Sequence, residues 1–272
     1  MVQENVLPSI SETYMLSPDQ LASFRANGHI LLPSVASADE IEVYRPVINR
    51  AAYQFNTEHR KLEERDTYGK AFLQITNLWE VDDAVKRFTL AGRFARIAAQ
   101  LLGVEKVRIY HDQALYKEPG GGHTPWHQDQ YYWPLDTDKT VTMWMPLVNI
   151  SKDMGMLTFA SGSHAKGFVE NVPISDKSDE VLQHYIESSG YEVIAPESMN
   201  AGDATWHYGW TLHSAPRNAS SSITREVFTI IYYADGAKLT GSKNPHQEAD
   251  RQRWFNGLPE GSLAASSLNP VL

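Results

Sequence analysis

The chain has 272 residues, of which 42% are hydrophobic and 21% charged, and its formal net charge is -9. This composition is typical of one large globular domain, and an acidic balance without a basic run argues against a nucleic-acid partner. The absence of cysteine excludes disulfides, thiolate metal sites and cysteine nucleophiles, so His, Asp and Glu are the strong metal-ligand types that remain.

Neither end of the sequence shows a targeting signal. The N-terminal "MVQENVLPSI" lacks a basic segment before an apolar run, so we expect no signal peptide, and "SLNPVL" matches no anchor or retrieval signal. No apolar stretch reaches the ~18 residues that a bilayer requires. We therefore expect a cytoplasmic protein without a membrane partner, either a monomer or a homodimer.

Helical patterns dominate the N-terminal part. In "SPDQLASFRANG" (17–28) a serine can cap the helix and the final glycine can end it, and "HILLP" then predicts a short buried strand. A second helix is expected from Ser37, with Pro46 either kinking it or marking its beginning. A third helix is predicted over residues 81–103, where apolar residues recur at helical spacing.

After residue 103 the sequence becomes rich in β-branched and aromatic residues with partial two-residue alternation. Strands are predicted at 107–119, 140–150, 156–161, 204–213 and 225–234. Helices followed by many short strands predict an α+β fold, mainly β, in which a sandwich or barrel carries helices on one side.

A single domain is predicted over 1–272, with internal parts of different character. Residues 1–103 form a helical N-terminal part, 104–235 the barrel core and 236–272 a C-terminal extension. Within the core, residues 163–200 are a long polar insertion, and a connection of this length is often a lid or a binding loop.

The stretch "HTPWHQDQYYW" (123–133) carries the first chemical signal. Residues two apart in an extended segment point the same way, so His127 and Asp129 can face one side together. A third ligand from elsewhere would complete a two-histidine, one-carboxylate set, which leaves three positions open on Fe(II) for oxygen chemistry. The alternative is a solvated loop with a local side-chain hydrogen bond.

Four segments in order resemble one family of oxygenases. They are "PWHQDQYYWPLD", "TVTMWMPLVNIS", "GMLTFASGSHAKG" and "GDATWHYGWTLHSAPRNASSSITR". Together they resemble the phytanoyl-CoA dioxygenase family over roughly residues 15–235, most specifically between Lys117 and Arg225. The resemblance implies an Fe(II)- and 2-oxoglutarate-dependent oxygenase on a double-stranded β-helix, a jelly-roll or cupin-like core flanked by N-terminal helices.

The resemblance also implies the metal ligands. His127 and Asp129 would be the first two, and the distal ligand is either His207 or His213. The family places an arginine about a dozen residues after the distal histidine, and Arg225 follows His213 by 12 residues but His207 by 18. We therefore choose His213, interpret His207 as a structural histidine near the pocket wall, and do not expect a ligand at position 123.

Arg225 would bind the distal carboxylate of 2-oxoglutarate, because the planar fork of a guanidinium matches a carboxylate with two parallel hydrogen bonds. The resemblance places Trp144 against the same co-substrate, and strand alternation puts Thr142 and Trp144 on the cavity side. Gln113 and Lys117 are further candidates for binding 2-oxoglutarate.

Two positions bear on the chemistry. Ala215 stands two residues after the distal histidine, where the family often has Ser or Gly, so we do not expect the hydrogen bond that a serine hydroxyl there would give to 2-oxoglutarate. Asp129 is intact, whereas Ala or Gly there would point to a halogenase. Hydroxylation is therefore the expected reaction.

The substrate is not encoded by any motif. The aromatic residues Tyr131, Trp133 and Trp210, with Tyr132, Trp206 and Tyr208 nearby, are expected to line a pocket for an apolar or cationic small molecule. The alternative for each of them is a place in the barrel core. The acidic balance argues weakly against a coenzyme A thioester, which carries several phosphate charges.

We thus expect an enzyme that uses Fe(II), 2-oxoglutarate and O2 to hydroxylate or otherwise oxidise an unactivated C–H bond of a small organic molecule, with release of succinate and CO2. Two other classes stay open. One is a non-catalytic β-barrel binding protein with a vestigial metal site, and the other is a metal-dependent hydrolase that uses the same three ligands.

Overall fold

The structure is a computed structural model that describes residues 7–272; residues 1–6, part of the stretch in which we expect no signal peptide, lie outside the described residues. The helices are α1 (Pro18–Asn27), α2 (Ala38–Phe55), α3 (Thr67–Ala71), α4 (Leu78–Val81), α5 (Asp83–Thr89), α6 (Gly92–Leu102), α7 (Asp176–Ser189) and α8 (Pro245–Phe255). The strands are β1 (His29–Leu32), β2 (Leu73–Thr76), β3 (Val107–Lys117), β4 (Thr124–His127), β5 (Thr140–Pro146), β6 (Ile150–Ser151), β7 (Thr158–Ala160), β8 (Val193–Ile194), β9 (Ser198–Met199), β10 (Ala204–Tyr208), β11 (His213–Ala215) and β12 (Arg225–Ala234). Short 3-10 helices occupy Leu62–Glu64, Asp129–Tyr132 and Ser163–Lys166.

Two antiparallel sheets enclose one cavity. The larger sheet has the strand order β1-β10-β5-β12-β3-β2, and the smaller has the order β4-β11-β7-β8. Thr142 and Arg225 of the larger sheet line the same cavity as His127 and His213 of the smaller one. This is the predicted double-stranded β-helix, with β6 and β9 as an additional short pair.

Alternation along β5 separates the core from the cavity, as the sequence predicts. Val141, Met143 and Met145 are fully buried in the main hydrophobic cluster, together with residues of α1, α2, α5 and α6. Thr142 and Trp144 point the opposite way and line the cavity. One face of the larger sheet therefore carries the helices, and the other face forms the cavity wall.

The predicted third helix, residues 81–103, is wrong as a single element. Its region contains α4, α5 and α6, which are separated at Asp82 and at Leu90–Ala91. Asp82 has extended backbone and accepts hydrogen bonds from the amides of Ala84 and Val85, so it ends one helix and caps the next. Helical periodicity continued through this cap because the apolar face is shared by the successive short helices.

Two other local predictions need correction. The strand over "HILLP" is present, but it is an edge strand of the larger sheet in which only Leu32 is fully buried. Asp129 does not lie on an extended segment, because β4 ends at His127 and a 3-10 helix begins at Asp129. By contrast, the first helix is capped by Ser17 and ended by Gly28 as predicted, and the second continues through Pro46.

The predicted insertion, residues 163–200, contains α7, whose residue Asp179 accepts a hydrogen bond of 2.9 Å from the amide of Trp126 on β4. Two residues that precede α7, Pro173 and Ile174, line the cavity. The lid role of this segment and the division of the chain into parts stay predictions. Within residues 7–272, no helix has both the length and the apolar character needed to cross a membrane.

Candidate metal centre and active-site cavity

Two histidines on neighbouring strands form the base of the candidate metal centre. His127 ends β4 and His213 begins β11, and the two residues pair directly in the sheet register. Asp129 follows at the start of the 3-10 helix, and its Oδ1 lies 3.6 Å from Nε2 of each histidine. One ligand atom from each of the three residues lies within 4.8 Å of the others, so all three can bind one ion.

Backbone carbonyls fix the orientation of both imidazoles. Nδ1 of His127 lies 2.8 Å from the carbonyl oxygen of Pro125, and Nδ1 of His213 lies 2.9 Å from that of Thr211. A carbonyl can only accept, so each Nδ1 carries the proton and each Nε2 keeps a free lone pair. Both Nε2 atoms face the carboxylate of Asp129, which is the arrangement that metal ligation needs.

The protonation states suit a divalent cation. Burial alone would raise the pKa of Asp129, but His213, His127 and His207 outweigh it and hold that pKa well below its ordinary range. Burial, with His127 beside it, holds the pKa of His213 well below its ordinary range. An ionised carboxylate with a neutral imidazole can bind metal without first losing a proton. Two imidazoles and one carboxylate fit Fe(II).

The other histidines near the motif lie outside the candidate ligand set. His207 Nε2 is 3.2 Å from Oδ2 of Asp129, on the far oxygen of the carboxylate, so His207 contacts a candidate ligand residue. Thr142 Oγ1 donates a hydrogen bond of 2.9 Å to the same oxygen. His123 is exposed and its Nε2 lies 3.5 Å from Asp179 Oδ2, away from the three candidate ligand residues.

Arg225 lies on β12, is only 2% exposed and lines the cavity. Its Nη1 donates to the carbonyl oxygen of Gly155 at 2.7 Å, its Nε has no hydrogen-bond partner among the described residues, and no carboxylate there lies within ion-pair distance. The guanidinium carbon is 5.2 Å from the ring centroid of Trp144. Burial lowers the pKa of Arg225 to about 9, so the side chain stays cationic at neutral pH and lacks an anion.

Two further co-substrate candidates are placed differently. Gln113 lines the cavity beside Thr229, its partner in the sheet register, and its Oε1 accepts from Gln74. Lys117 is fully buried next to Arg225 but is not among the residues that line the cavity. Its Nζ donates to the carbonyl oxygen of Gly122 and lies 3.3 Å from Thr124 Oγ1, so it holds the loop before β4.

The predicted substrate aromatics do not lie together in one pocket. Trp133 and Tyr132 line the cavity, whereas Tyr131 does not. Trp210 lines a second, smaller cavity of about 240 Å³ with Tyr208, because the chain turns away after β10. The remaining residue of the predicted group, at position 206, is fully buried in the main core.

Sequence reasoning missed the cavity wall that the C-terminal extension provides. His246, Asp250, Arg253 and Trp254 of α8 line the cavity. The pair Asn244–Pro245 is a helix-start signal and could have predicted α8 itself. Its position against the cavity depends on long-range packing, which no local pattern encodes. Tyr68 of α3 with Gln74 and Thr76 of β2 were missed in the same way.

The cavity has a volume of about 470 Å³, which is in the range of small-molecule sites. A family model described as phytanoyl-CoA dioxygenase (PhyH) matches residues 24–227, which is most of the chain. The chain belongs to the phytanoyl-CoA dioxygenase family.

Individual relatives agree with this assignment. A phytanoyl-CoA dioxygenase of Arabidopsis thaliana is 26% identical over 263 residues, a region that covers 83% of this chain and 92% of the relative. A probable alpha-ketoglutarate-dependent hypophosphite dioxygenase of Stutzerimonas stutzeri is 25% identical and covers 83% of this chain and 82% of the relative. The crystal structure of the non-heme alpha ketoglutarate dependent carbocyclase SnoK, from nogalamycin biosynthesis, superposes with a TM-score of 0.77 at 22% identity, covering 94% of this chain and 96% of SnoK, which shows a shared fold.

Family membership and the triad confirm the expected enzyme class, an Fe(II)- and 2-oxoglutarate-dependent dioxygenase. Neither alternative class, the vestigial binding protein or the hydrolase, receives support from the family or from the site. Ala215 lines the cavity with a methyl group, which cannot donate the side-chain hydrogen bond to 2-oxoglutarate that a serine there could give.

Proposed function

We propose that the chain holds Fe(II) with His127, Asp129 and His213, binds the distal carboxylate of 2-oxoglutarate with Arg225, and oxidises a C–H bond of a small molecule in the same cavity, releasing succinate and CO2. One observation carries the proposal. A compact two-histidine, one-carboxylate set shares its cavity with a buried arginine that has no acidic partner among residues 7–272.

The metal residues act by orientation. The carbonyl oxygens of Pro125 and Thr211 keep both Nε2 lone pairs free and aimed at Asp129 Oδ1. Bound Fe(II), together with 2-oxoglutarate and O2, supplies the oxidising power that couples decarboxylation of 2-oxoglutarate to substrate oxidation.

The arginine acts by charge and shape. The contact of Arg225 Nη1 with the carbonyl oxygen of Gly155 and the packing of its guanidinium over Trp144 fix the plane of the fork. A carboxylate in that plane would receive charge-assisted hydrogen bonds and would neutralise a charge that is otherwise buried alone. The name of the Stutzerimonas stutzeri relative, which states dependence on alpha-ketoglutarate, supports this choice of co-substrate.

Buried apolar side chains form part of the cavity wall. Trp133, Trp144 and Leu157 are each less than a tenth exposed and line the cavity with Ile231. Apolar walls strengthen the electrostatic interactions between the protein and its bound charges. With about 470 Å³ to be shared with 2-oxoglutarate, we propose a small substrate rather than a coenzyme A thioester. A cytoplasmic location and a monomeric or homodimeric state stay predictions.

An anaerobic titration tests the proposal. Fe(II) and 2-oxoglutarate are added to the folded protein, and the visible absorption band of the ternary complex is measured. We expect the band in wild type and in His123→Ala, whose imidazole lies beside Asp179 instead of at the metal centre, and no band in Asp129→Ala. An absent band in folded, iron-loaded wild type, or an undiminished band in Asp129→Ala, would refute the assignment.

A further inference from the structure

Helix α8 lies beyond residues 24–227, which match the family model, yet it contributes four residues to the cavity. The helix is firmly held. Trp254 and Phe255 are buried against a cluster that contains Tyr110 and Trp133. Gln247 donates a hydrogen bond of 3.0 Å to a backbone carbonyl oxygen, that of Tyr131, in the 3-10 helix that begins at Asp129. Residues outside the segment that matches the family model are thus fixed beside the proposed metal centre.

The helix carries two acid–base pairs at the same spacing, and only one of them closes. Glu248 and Arg251 form an ion pair of 2.6 Å. Asp250 and Arg253 do not lie within ion-pair distance, because each is held by another residue. Asp250 Oδ2 accepts a hydrogen bond of 2.7 Å from the hydroxyl of Tyr110, whereas Arg253 Nη2 donates a hydrogen bond of 2.8 Å to Thr76 Oγ1.

Both members of the open pair line the cavity, and each can form further hydrogen bonds there. Arg253 packs over Trp254, with its guanidinium carbon 4.3 Å from the ring, and keeps further N–H groups for a ligand. Burial raises the pKa of Asp250 to about 6, although Tyr110, Trp254 and Arg253 lower it, so a further cationic group close to the carboxylate would offset the cost of its charge. His111, which is 7% exposed, lies against Trp254 at 4.9 Å, and its Nδ1 has no partner among the described residues.

Two acidic side chains and two arginines are among the described residues that line this cavity. Asp129 and Asp250 are the acidic side chains among the described lining residues, and Arg225 and Arg253 are the arginines. Asp129 and Arg225 are assigned to the metal and to 2-oxoglutarate under the proposed function. The second acid and the second arginine remain for the substrate.

We propose that the substrate is a small amphoteric molecule, with an acidic group bound by Arg253 and a neighbouring cationic amine bound by Asp250. The proposal rests on the proposed function, since it names the substrate class of the same cavity. The two side chains are one helical turn apart, so they suit charges on adjacent or nearby atoms of one molecule. The closed Glu248–Arg251 pair provides a control on the same helix.

The test uses metal-free protein without 2-oxoglutarate, so that it does not depend on the chemistry. Three ring compounds of one shape serve as probes: pipecolic acid (zwitterion), cyclohexanecarboxylate (anion) and piperidine (cation). Dissociation constants come from ligand-observed NMR titrations of the full-length chain. Wild type should bind pipecolic acid about tenfold or more tightly than either single-charge probe, since it makes both charge-assisted contacts.

Variants assign the two contacts. Arg253→Gln should weaken the binding of pipecolic acid and cyclohexanecarboxylate about tenfold or more. Asp250→Asn should weaken the binding of pipecolic acid and piperidine by a similar factor. Arg251→Gln should leave the dissociation constants of all three probes unchanged. Arg225→Gln is titrated in parallel to reveal carboxylates that bind at the other arginine. Equal affinity for the three probes, no binding of any probe, or losses in Arg225→Gln but not in Arg253→Gln would each overturn the proposal. If the iron titration gives no absorption band but the probes bind as expected, the proposed oxygenase chemistry is rejected and the proposed binding of an amphoteric molecule is not.

Discussion

Thr142 Oγ1 donates a hydrogen bond of 2.9 Å to Oδ2 of Asp129, while Oδ1 of the same carboxylate lies 3.6 Å from Nε2 of both His127 and His213. One carboxylate oxygen thus faces the two histidines of the candidate metal centre, and the other contacts Thr142 and His207. Thr142 lies on the larger sheet and Asp129 follows a strand of the smaller one, so this contact links the two halves of the fold at the metal centre.

Thr142→Val should weaken metal binding. The substitution keeps the branched shape of the side chain but removes the hydrogen bond to Asp129, leaving His207 as the contact to Oδ2. Loss of a contact that orients a metal ligand typically lowers metal affinity about 10- to 100-fold. A Co(II) or Fe(II) titration measures the change. Thr205→Val is the matched control, because Thr205 Oγ1 is buried without a hydrogen-bond partner among the described residues. The metal affinity of the Thr205→Val variant should equal that of wild type.

Arg225→Gln should raise the dissociation constant for 2-oxoglutarate. The charged hydrogen bonds lost are worth about 1.5–3 kcal/mol, which corresponds to roughly 10- to 100-fold. Arg225→Lys should not restore full affinity, because an ammonium cannot present two parallel donors. Titration calorimetry with the metal-loaded protein measures both variants. The ligand-free unfolding temperature of Arg225→Gln should be no lower than that of wild type, since a buried charge without an anion is removed. Wild-type affinity in Arg225→Gln would contradict the role.

The sequence contained enough information to predict the fold class, because the fold class rests on local patterns such as the alternation along β5 that places Thr142 and Trp144 on the cavity side. The choice of His213 over His207 came from the family resemblance and its spacing to Arg225; the structure brings His213 together with His127 and Asp129, and their role as metal ligands stays a prediction. The hydrogen bonds from Nδ1 to backbone carbonyls could not be predicted, since they depend on the turn geometry around each histidine.

Long-range packing accounts for most of what the sequence did not reveal. The residues of α8 are more than a hundred positions from Asp129, and nothing in their own pattern indicates a cavity wall. The separation of α4 from α5 depends on Asp82 acting as a cap within a continuous apolar pattern. Nearness in sequence to His213 predicts that Trp210 belongs to the site, but the turn after β10 directs it to another cavity.

Lys117 should make stability depend on pH. Burial lowers the pKa of Lys117 to about 6, with Arg225 as a second cause, whereas an unfolded lysine titrates near about 10.4. Between these values the unfolded chain binds one more proton than the folded chain, so the free energy of unfolding should rise with pH by up to about 1.4 kcal/mol per unit. A neutral amine also matches its two acceptors, the carbonyl oxygen of Gly122 and Thr124 Oγ1.

Urea unfolding at pH 6.5, 7.5 and 8.5 tests this dependence, since all three values (chosen at roughly one-unit intervals) lie inside the window. Lys117→Met should lose the rise that wild type shows. Lys152→Met, at an exposed lysine paired with Glu197, should keep it. Parallel pH profiles for wild type and Lys117→Met would show that the buried amine does not titrate in this window.

Asp112→Ala should destabilise the protein strongly without affecting the cavity. Asp112 lies on β3 between two cavity residues and points to the helical side, where it is fully buried. Its carboxylate accepts from the amides of Leu78 and Trp79 at 2.8 and 3.1 Å and from Thr89 Oγ1 at 2.8 Å. Alanine leaves these buried donors unpaired, and each donor that finds no water costs about 1–3 kcal/mol of stability. We therefore expect the free energy of unfolding to fall by several kcal/mol in total.

Asp112→Asn is the matched variant, because its one amide oxygen can still accept from a buried amide, and its loss should be smaller. Chemical unfolding measures stability, and metal titration of the folded fraction should give the wild-type affinity for both variants. A free energy of unfolding within about 0.5 kcal/mol of wild type in Asp112→Ala would mean that the start of α4 finds other acceptors. Lowered metal affinity in the folded fraction would instead mean that β3 transmits the change across the sheet to the cavity side.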